Sequence, residues 1–451
     1  MAEETFEFTS ESAAALGKLT QAFNPHRVDE PVVGIPGGRE PNEVWELDGG
    51  TAWVWLAPGN ETLTKPVIIA DGFSAGASFL AEWAGLWKAS GIVGVHPWGT
   101  QLHEAGHDVV VLGYDSRSAP ISDNARVAIE CIRRAIQERS GDTPLVVGGL
   151  SMGGLVTRYA LLQMEELGID HEVETYFSYD SPHRGAWIPI SLQTFAHFLK
   201  GIADQLHPVP PERNRVKNDQ LGGLSVLLNS PASRELVWKH TATHKGVGPD
   251  FSAAPEREAL LKRLEEMGSW PKRPTKLAVA NGRGDGHGLD DVKPGELNLD
   301  WPPKKQLVWG PGAKLYAQNG GTDKLAGIDQ HVATLIPALQ GTEIRVSTTG
   351  IPALDGAPGG TLDSFGIAAH ALQAAGFDAT AAFPDVCFVP VASAVDLGDP
   401  SDPFASVNGM NPDDSGLDEY KVASQNEAHT LLTKELCTWL TERFSVLTPA
   451  R

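Results

Sequence analysis

Short runs of uninterrupted apolar residues, alternating with longer amphipathic stretches, constrain this chain more than any other feature. PVIIA (66–70), DVVVLG (108–113), LVVGG (145–149), VETYFSY (173–179) and TKLAVAN (275–281) each read as a strand buried on both faces. Between them, FLAEWAGLWKAS (79–90), DNARVAIECIRRAIQE (123–138) and the stretch from Gly153 to about Leu167 carry helical periodicity. Such a rhythm predicts an α/β fold, with a mostly parallel central sheet and helices on both faces. Upstream, EVWELDGGTAWVWLA (43–57) reads as two strands around an Asp48-Gly49-Gly50 turn. Downstream, VCFVPV (386–391) is expected as the last core strand and HTLLTKELCTWLTERF (429–444) as a closing amphipathic helix.

The rhythm breaks after residue 185, which sets the expected organisation. Residues 1–42 form an N-terminal arm, 43–187 the first part of the core and 188–270 an inserted helical cap. The core resumes over 271–451, with a β-rich insertion around 290–380 that includes QLVWG, KLYAQ and TEIRVSTT. Trp187, Phe195, Phe198, Trp238 and Trp270 fall in or beside the cap. They read either as the apolar wall of a pocket or as the cap's own small core. A chain of 451 residues accommodates all these parts, and its 41% hydrophobic and 21% charged residues are ordinary for a globular protein. The net charge of −21 argues against nucleic acid or an anionic membrane surface as a partner. No run approaches the length of a membrane span, and the acidic Met1-Ala2-Glu3-Glu4 start is unlike a secretory signal, so a cytoplasmic location is expected. Cys131, Cys387 and Cys437, odd in number and far apart, are expected as reduced buried thiols.

The most specific motif is Gly149-Leu150-Ser151-Met152-Gly153, a G-x-S-x-G between a strand and a helix. The glycines permit a sharp turn that projects the serine hydroxyl, and the helix N-terminus behind it favours developing negative charge. Ser151 is therefore the candidate nucleophile. Donors for an oxyanion are expected from the Met152 amide and from the loop Asp71-Gly72-Phe73-Ser74, with Phe73 preferred and Gly72 the near alternative.

Taken in order, strand–DGF, strand–GYDSR, strand–GLSMGG and strand–YDSPHRGA resemble lipase- and esterase-type serine hydrolases of the α/β-hydrolase superfamily. SMGGLVTRYAL, YDSPHRGAWIPISLQ, CFVPVASAVD and NEAH also resemble a group of bacterial hydrolases, covering 66–185 well and 275–440 in patches. The resemblance implies the α/β-hydrolase fold and hydrolytic chemistry by a Ser-His-Asp triad, in the chain order serine, acid, histidine. His429, in Gln425-Asn426-Glu427-Ala428-His429, then stands where the base belongs. The acid has two main candidates. Asp285 follows TKLAVAN with the usual G-x-x-D spacing, and Asp180 ends the preceding strand, where some lipases of this fold carry the acid. Asp396 and Asp385 are further alternatives.

These residues imply an esterase- or lipase-like reaction through an acyl-enzyme, with a small-molecule ester as substrate and no cofactor. A thioesterase or cyclase acting on a carrier-bound or coenzyme A-bound acyl chain would use the same residues, and a non-catalytic binding module would keep only the scaffold. Oligomeric state is open. Two metal-like patterns fail on context. His103-Glu104-Ala105-Gly106-His107 spells the zinc pattern H-E-x-x-H, but Gly106 ends the helix that would have to carry both histidines. Asp285, His287, Asp290 and Asp291 read as a solvated acidic loop, so no metal site is expected.

Overall fold

The computed structural model describes residues 39–87, 95–205, 223–241, 254–302, 309–319, 323–332, 343–348, 350–399 and 401–446. The expected N-terminal arm therefore lies, but for its last four residues, outside the described residues, and so do 206–222 and 242–253 of the expected cap.

The chain enters through the hairpin of β1 (Glu43–Leu47) and β2 (Gly50–Trp55). Leu47 pairs with Gly50 across a tight Asp48-Gly49 turn, and Gly49 takes the left-handed φ of 94° that the turn requires. Next come β3 (Pro66–Ala70), β4 (Asp108–Tyr114), β5 (Leu145–Leu150), β6 (Val173–Tyr179) and β7 (Thr275–Arg283). With the late strand β15 (Glu419–Ala423) they form an eight-stranded sheet in the order β1-β2-β4-β3-β5-β6-β7-β15. From β4 to β15 every pairing is parallel, and only the hairpin edge is antiparallel.

Why these strands are uninterrupted apolar runs is visible on β4. Val110 and Leu112 join one core with α2 (Ile121–Glu138) and α3 (Met152–Glu166). Val109 and Val111 face the other way, into a core built with α1 (Trp98–Glu104) and α8 (Lys434–Val446). Both faces being covered, neither side-chain set of a strand can be polar. Burial of each Val, Ile or Leu stabilises the sheet by about 1.5–3 kcal/mol.

Four elements differ from the sequence reading. VCFVPV does not extend the central sheet. It forms β14 (Val386–Pro390), which pairs antiparallel with β12 (Gly359–Leu362) in a separate two-stranded sheet. An apolar run marks a buried strand without saying which sheet buries it. The true last strand of the central sheet, β15, is a half-exposed edge of sequence EYKVA with no apolar run to announce it. The closing helix begins at Lys434 rather than at 429, which leaves His429 in the preceding loop. Residues Leu80–Leu86 of the expected helix over 79–90 form a 3-10 helix, and 88–90 lie outside the described residues.

Between β6 and β7 the described chain contributes α4 (Ile190–Gln205), α5 (Pro231–Leu236) and α6 (Pro255–Glu266). After β7 a five-stranded antiparallel sheet, in the order β11-β10-β9-β8-β13, accounts for most of the β-rich region. Its members are β8 (Leu297–Trp301), β9 (Trp309–Tyr316), β10 (Asp323–Val332), β11 (Glu343–Thr348) and the short β13 (Thr380–Ala381). Helix α7 (Ser364–Ala374) packs beside it. The aromatics of the segment between β6 and β7 act as core. Phe195 meets Trp301 of β8 edge-on at 6.0 Å, and Trp187 lies 6.3 Å from Trp238. All three cysteines are free and buried. Among the described residues no helix is long and apolar enough to cross a membrane.

His107, fully buried between α1 and β4 with its ring edge-on to Phe444 at 6.2 Å, makes the fold acid-sensitive. Burial, reinforced by the charge of Lys65, lowers its pKa to about 4. The unfolded chain takes up a proton near pH 6.5 that the fold resists, so stability is lost as pH falls from about 6.5 to 4. In His107→Leu this loss, up to about 3 kcal/mol, should disappear. Urea unfolding of both proteins at pH 7 and pH 4.5 checks this; an identical difference in stability at the two pH values would refute the assignment.

Candidate active site

The turn between β5 and α3 carries Ser151 at φ 52° and ψ −123°, a conformation that costs a non-glycine residue about 1–3 kcal/mol. The surroundings enforce it. Ser151 donates its amide to Tyr179 O at 2.9 Å, pinning the turn to β6. Gly153 packs so closely on β3 that a β-carbon would overlap the carbonyl oxygens of Ala70 and Asp71. At Gly154 one would overlap the hydroxyl of Ser181. The helix thus starts against the ends of β3 and β6, and only a chain without side chains at 153 and 154 fits there. Ser151 itself is nearly inaccessible, at 2% exposure.

Two loops bring polar groups to it. Nε2 of His429 lies 2.7 Å from Ser151 Oγ, and Nδ1 lies 2.6 Å from Oδ2 of Asp180. Both side chains of the His429–Asp180 pair are fully buried. Asp180, at the end of β6, has φ 50°, and its amide donates to Val279 O at 2.7 Å. Its other oxygen accepts the Asn281 amide at 3.0 Å. The His429 loop is pinned around the ring. The amide of His429 donates to Thr361 O at 2.8 Å, Phe388 meets the imidazole edge-on at 4.9 Å, and Leu431 O accepts from Tyr179 Oη at 2.8 Å and from Asn281 Nδ2 at 2.9 Å.

The loop after β3 is organised by buried charge. Asp71 accepts its neighbour Gly72's amide at 2.7 Å and the hydroxyl of Ser78 at 2.6 Å. Arg117, 2% exposed, stands 3.5 Å from Asp71 and 2.9 Å from Glu82, and its amide donates to Gly76 O at 3.0 Å. This network fixes the backbone of residues 71–78, where Phe73 lies. Met152 is the first residue of α3, directly after Ser151.

Not every candidate acid comes near. Asp285 is exposed at the mouth of its loop, where Arg283 grips both its oxygens and the His287 amide donates to it at 3.0 Å. The arginine lowers its pKa to about 2. Asp396 holds Arg184 at 2.7 Å and accepts from Trp270 Nε1 at 3.2 Å. Asp385 is an exposed residue just before β14. Of the carboxylates proposed from sequence, Asp180 alone is bonded to His429. The H-E-x-x-H histidines are split as expected from Gly106, with α1 ending at Glu104 and β4 starting at Asp108. Among the described residues no group of three or more His, Cys, Asp or Glu is arranged to hold a metal ion.

Several contributors went unread in the sequence. In Asp180-Ser181-Pro182-His183-Arg184-Gly185 every polar residue has a separate task. Ser181 abuts Gly154, His183 lies 3.0 Å from Ser178 Oγ, and Arg184 reaches Asp396. Burial, with the charges of Arg158 and Arg184, holds His183 well below the usual histidine pKa, so it is neutral. Arg158 stacks over Trp270 at 3.7 Å and donates to Ser269 O at 2.7 Å, tying α3 to the segment before β7. Asn281 and Thr361 are unremarkable residue types in sequence, and only spatial proximity to Asp180 and His429 singles them out.

Comparison with known proteins gives partial likenesses. No family model matches the chain, and a search of the curated proteins found no match. Among solved structures, the propeptide form of Bacillus licheniformis lipase BlEst2 is similar at 12% identity and a TM-score of 0.31, over 51% of this chain and 39% of that one. Brefeldin A esterase, a bacterial homologue of human hormone-sensitive lipase, is similar at 14% identity and a TM-score of 0.28, over 61% and 79%. Est1E from Butyrivibrio proteoclasticus gives 14% identity and a TM-score of 0.29, over 52% and 76%.

The buried charge cluster behind the 71–78 loop has a measurable cost of disruption. Replacing Arg117 by Met leaves Asp71 and Glu82 facing each other without the cation between them, which should destabilise the fold by about 3–5 kcal/mol. Urea denaturation at pH 7 checks it; a change below about 1 kcal/mol would mean the cluster is solvated in solution.

Proposed function

We propose that this chain is a serine hydrolase of the α/β-hydrolase fold that cleaves carboxylic esters through an acyl-enzyme on Ser151. One observation carries the reading: Ser151 Oγ, His429 and Asp180 form a continuous hydrogen-bonded series of 2.7 and 2.6 Å at the C-terminal edge of a mostly parallel sheet. A strained serine on a strand-to-helix turn, with a histidine against its hydroxyl and a buried carboxylate behind that histidine, is the arrangement acyl transfer requires. The strand order supports the fold assignment, and the segment 188–270 is the proposed cap.

In this reading Ser151 Oγ attacks the ester carbonyl while its proton passes to His429 Nε2. Asp180 holds Nδ1–H, fixing the tautomer, and offsets the imidazolium charge that develops. The tetrahedral oxyanion is held by the amides of Met152 and Phe73. Gly72, the alternative donor, has its amide turned to the Asp71 carboxylate, which favours Phe73. Collapse breaks the ester C–O bond, and the departing alkoxide takes the proton from His429. Water, deprotonated by the same imidazole, then releases the acid and restores Ser151.

Fluorophosphonate labelling and hydrolysis of p-nitrophenyl esters test the proposal. The adduct should map to Ser151 and vanish in Ser151→Ala. Turnover should fall by about 10⁴-fold in Asp180→Asn. In Asp285→Asn it should stay within about two-fold of wild type, as for an exposed residue away from the chemistry. Labelling at another residue, or full activity of Ser151→Ala, would overturn the assignment. Turnover of pantetheine thioesters alone would redirect it to a carrier-bound acyl substrate.

A further inference from the structure

The inserted strands β12 and β14 sit beside the His429 loop, and their contacts with it are of a different kind from packing. Between Gly360 and Thr361 the pairing with β14 slips by one residue. The extra residue is Phe388 of β14, and such a bulge re-aims the strand that carries it. On the facing strand β12, Thr361 turns its backbone amide and carbonyl to the His429 loop: its amide donates to Glu427 O at 2.9 Å and its carbonyl accepts the His429 amide at 2.8 Å. Strand β12 thereby adds a short parallel bridge, Thr361 to Ala428, to a loop that otherwise has none.

Gly360 lets β12 approach the Asp180–His429 pair closely. A β-carbon at this position would fall on Oδ2 of Asp180, 2.9 Å from the carboxyl carbon and 3.1 Å from Cα of His429. Oδ2 is the oxygen that bonds the imidazole. Gly360 is not among the residues with positive φ, so space, and not backbone freedom, demands glycine. From the same small sheet, Phe388 of β14 faces the imidazole. The start of β12 is held to the same loop, since Asn426 Oδ1 accepts from both Gly359 N at 3.3 Å and Arg283 N at 2.9 Å.

We infer that Gly360 and the backbone of Thr361 are positioning elements for the Asp180–His429 pair, so that the β-rich insertion is part of the catalytic apparatus and not an appendage to it. The catalytic consequence rests on the function proposed above; the geometric one does not. Any side chain at 360 pushes the carboxylate off Nδ1, and loss of the Thr361 bridge lets the imidazole drift from Ser151.

The test pairs kinetics with a direct view of the hydrogen bond. Gly360→Ala should lower kcat by about 10²–10³-fold with KM nearly unchanged, and should abolish the downfield proton resonance of His429 Nδ1–H. Adding it to Asp180→Asn should cost little more than Asp180→Asn alone, because both act through one contact. Wild-type kcat and an intact resonance in Gly360→Ala would overturn the inference, as would full additivity with Asp180→Asn. Should Gly360→Ala fail to fold, Thr361→Pro removes both groups that reach Glu427 O, the amide and the hydroxyl. It should lower kcat about ten-fold and weaken the resonance, whereas an unchanged resonance in a folded protein would overturn the inference. If the wild type cleaves no ester, the function proposed above fails; the resonance still decides the positioning role.

Discussion

A carboxylate with no exposure to solvent must be held by hydrogen bonds or not be charged at all, and Asp180 imposes that condition on everything around it. One oxygen is bonded by the Asn281 amide and the other by His429 Nδ1. Meeting that demand draws the ends of β6 and β7, the His429 loop and the inserted strand β12 to one point. The same bond orients the imidazole so that its far nitrogen faces Ser151. Stability and candidate chemistry therefore rest on one contact between residues 249 positions apart.

The rest of the site is organised on the same principle, with backbone strain and buried charge fixed by their neighbours. Ser151 and Asp180 both stand at positive φ, at the ends of adjacent strands β5 and β6. Neither conformation would survive in an isolated segment, and each is over-determined by close packing and by backbone hydrogen bonds. Arg117 between Asp71 and Glu82 braces the loop after β3, and Arg158 over Trp270 ties α3 to the segment before β7. Buried pairs of this kind add little net stability, but they penalise any other arrangement of the loops.

The position of Asp285 follows from how the loop after β7 is attached. The loop after β7, where Asp285 lies, is bound to the segment 404–408: Gly284 O accepts the amides of Val407 and Asn408, and Gly286 abuts Phe404 O. That loop is thus directed outward, and Arg283 neutralises Asp285 at the surface. With the late edge strand β15 delivering His429 beside β12, the carboxylate that can reach the imidazole is the one at the end of β6.

The sequence by itself determined the parallel β/α rhythm, the entry hairpin and Ser151 on its turn. Each of these is a local pattern: a run of apolar residues buried on both sides, a two-glycine turn, a glycine-flanked serine between strand and helix. It left Asp180 and Asp285 as rivals, because a strand-end aspartate reads the same whichever loop carries it. Only the tertiary structure separates their positions, placing Asp180 against His429 and Asp285 in a loop held by Arg283. It also decided that VCFVPV lies outside the central sheet and that EYKVA completes it, because burial on two faces looks alike in any sheet and an exposed edge looks like a loop. Gly360 and Thr361 belong to the same class: nothing in GGTL announces a role, and the role comes from where a missing β-carbon leaves room for a carboxylate.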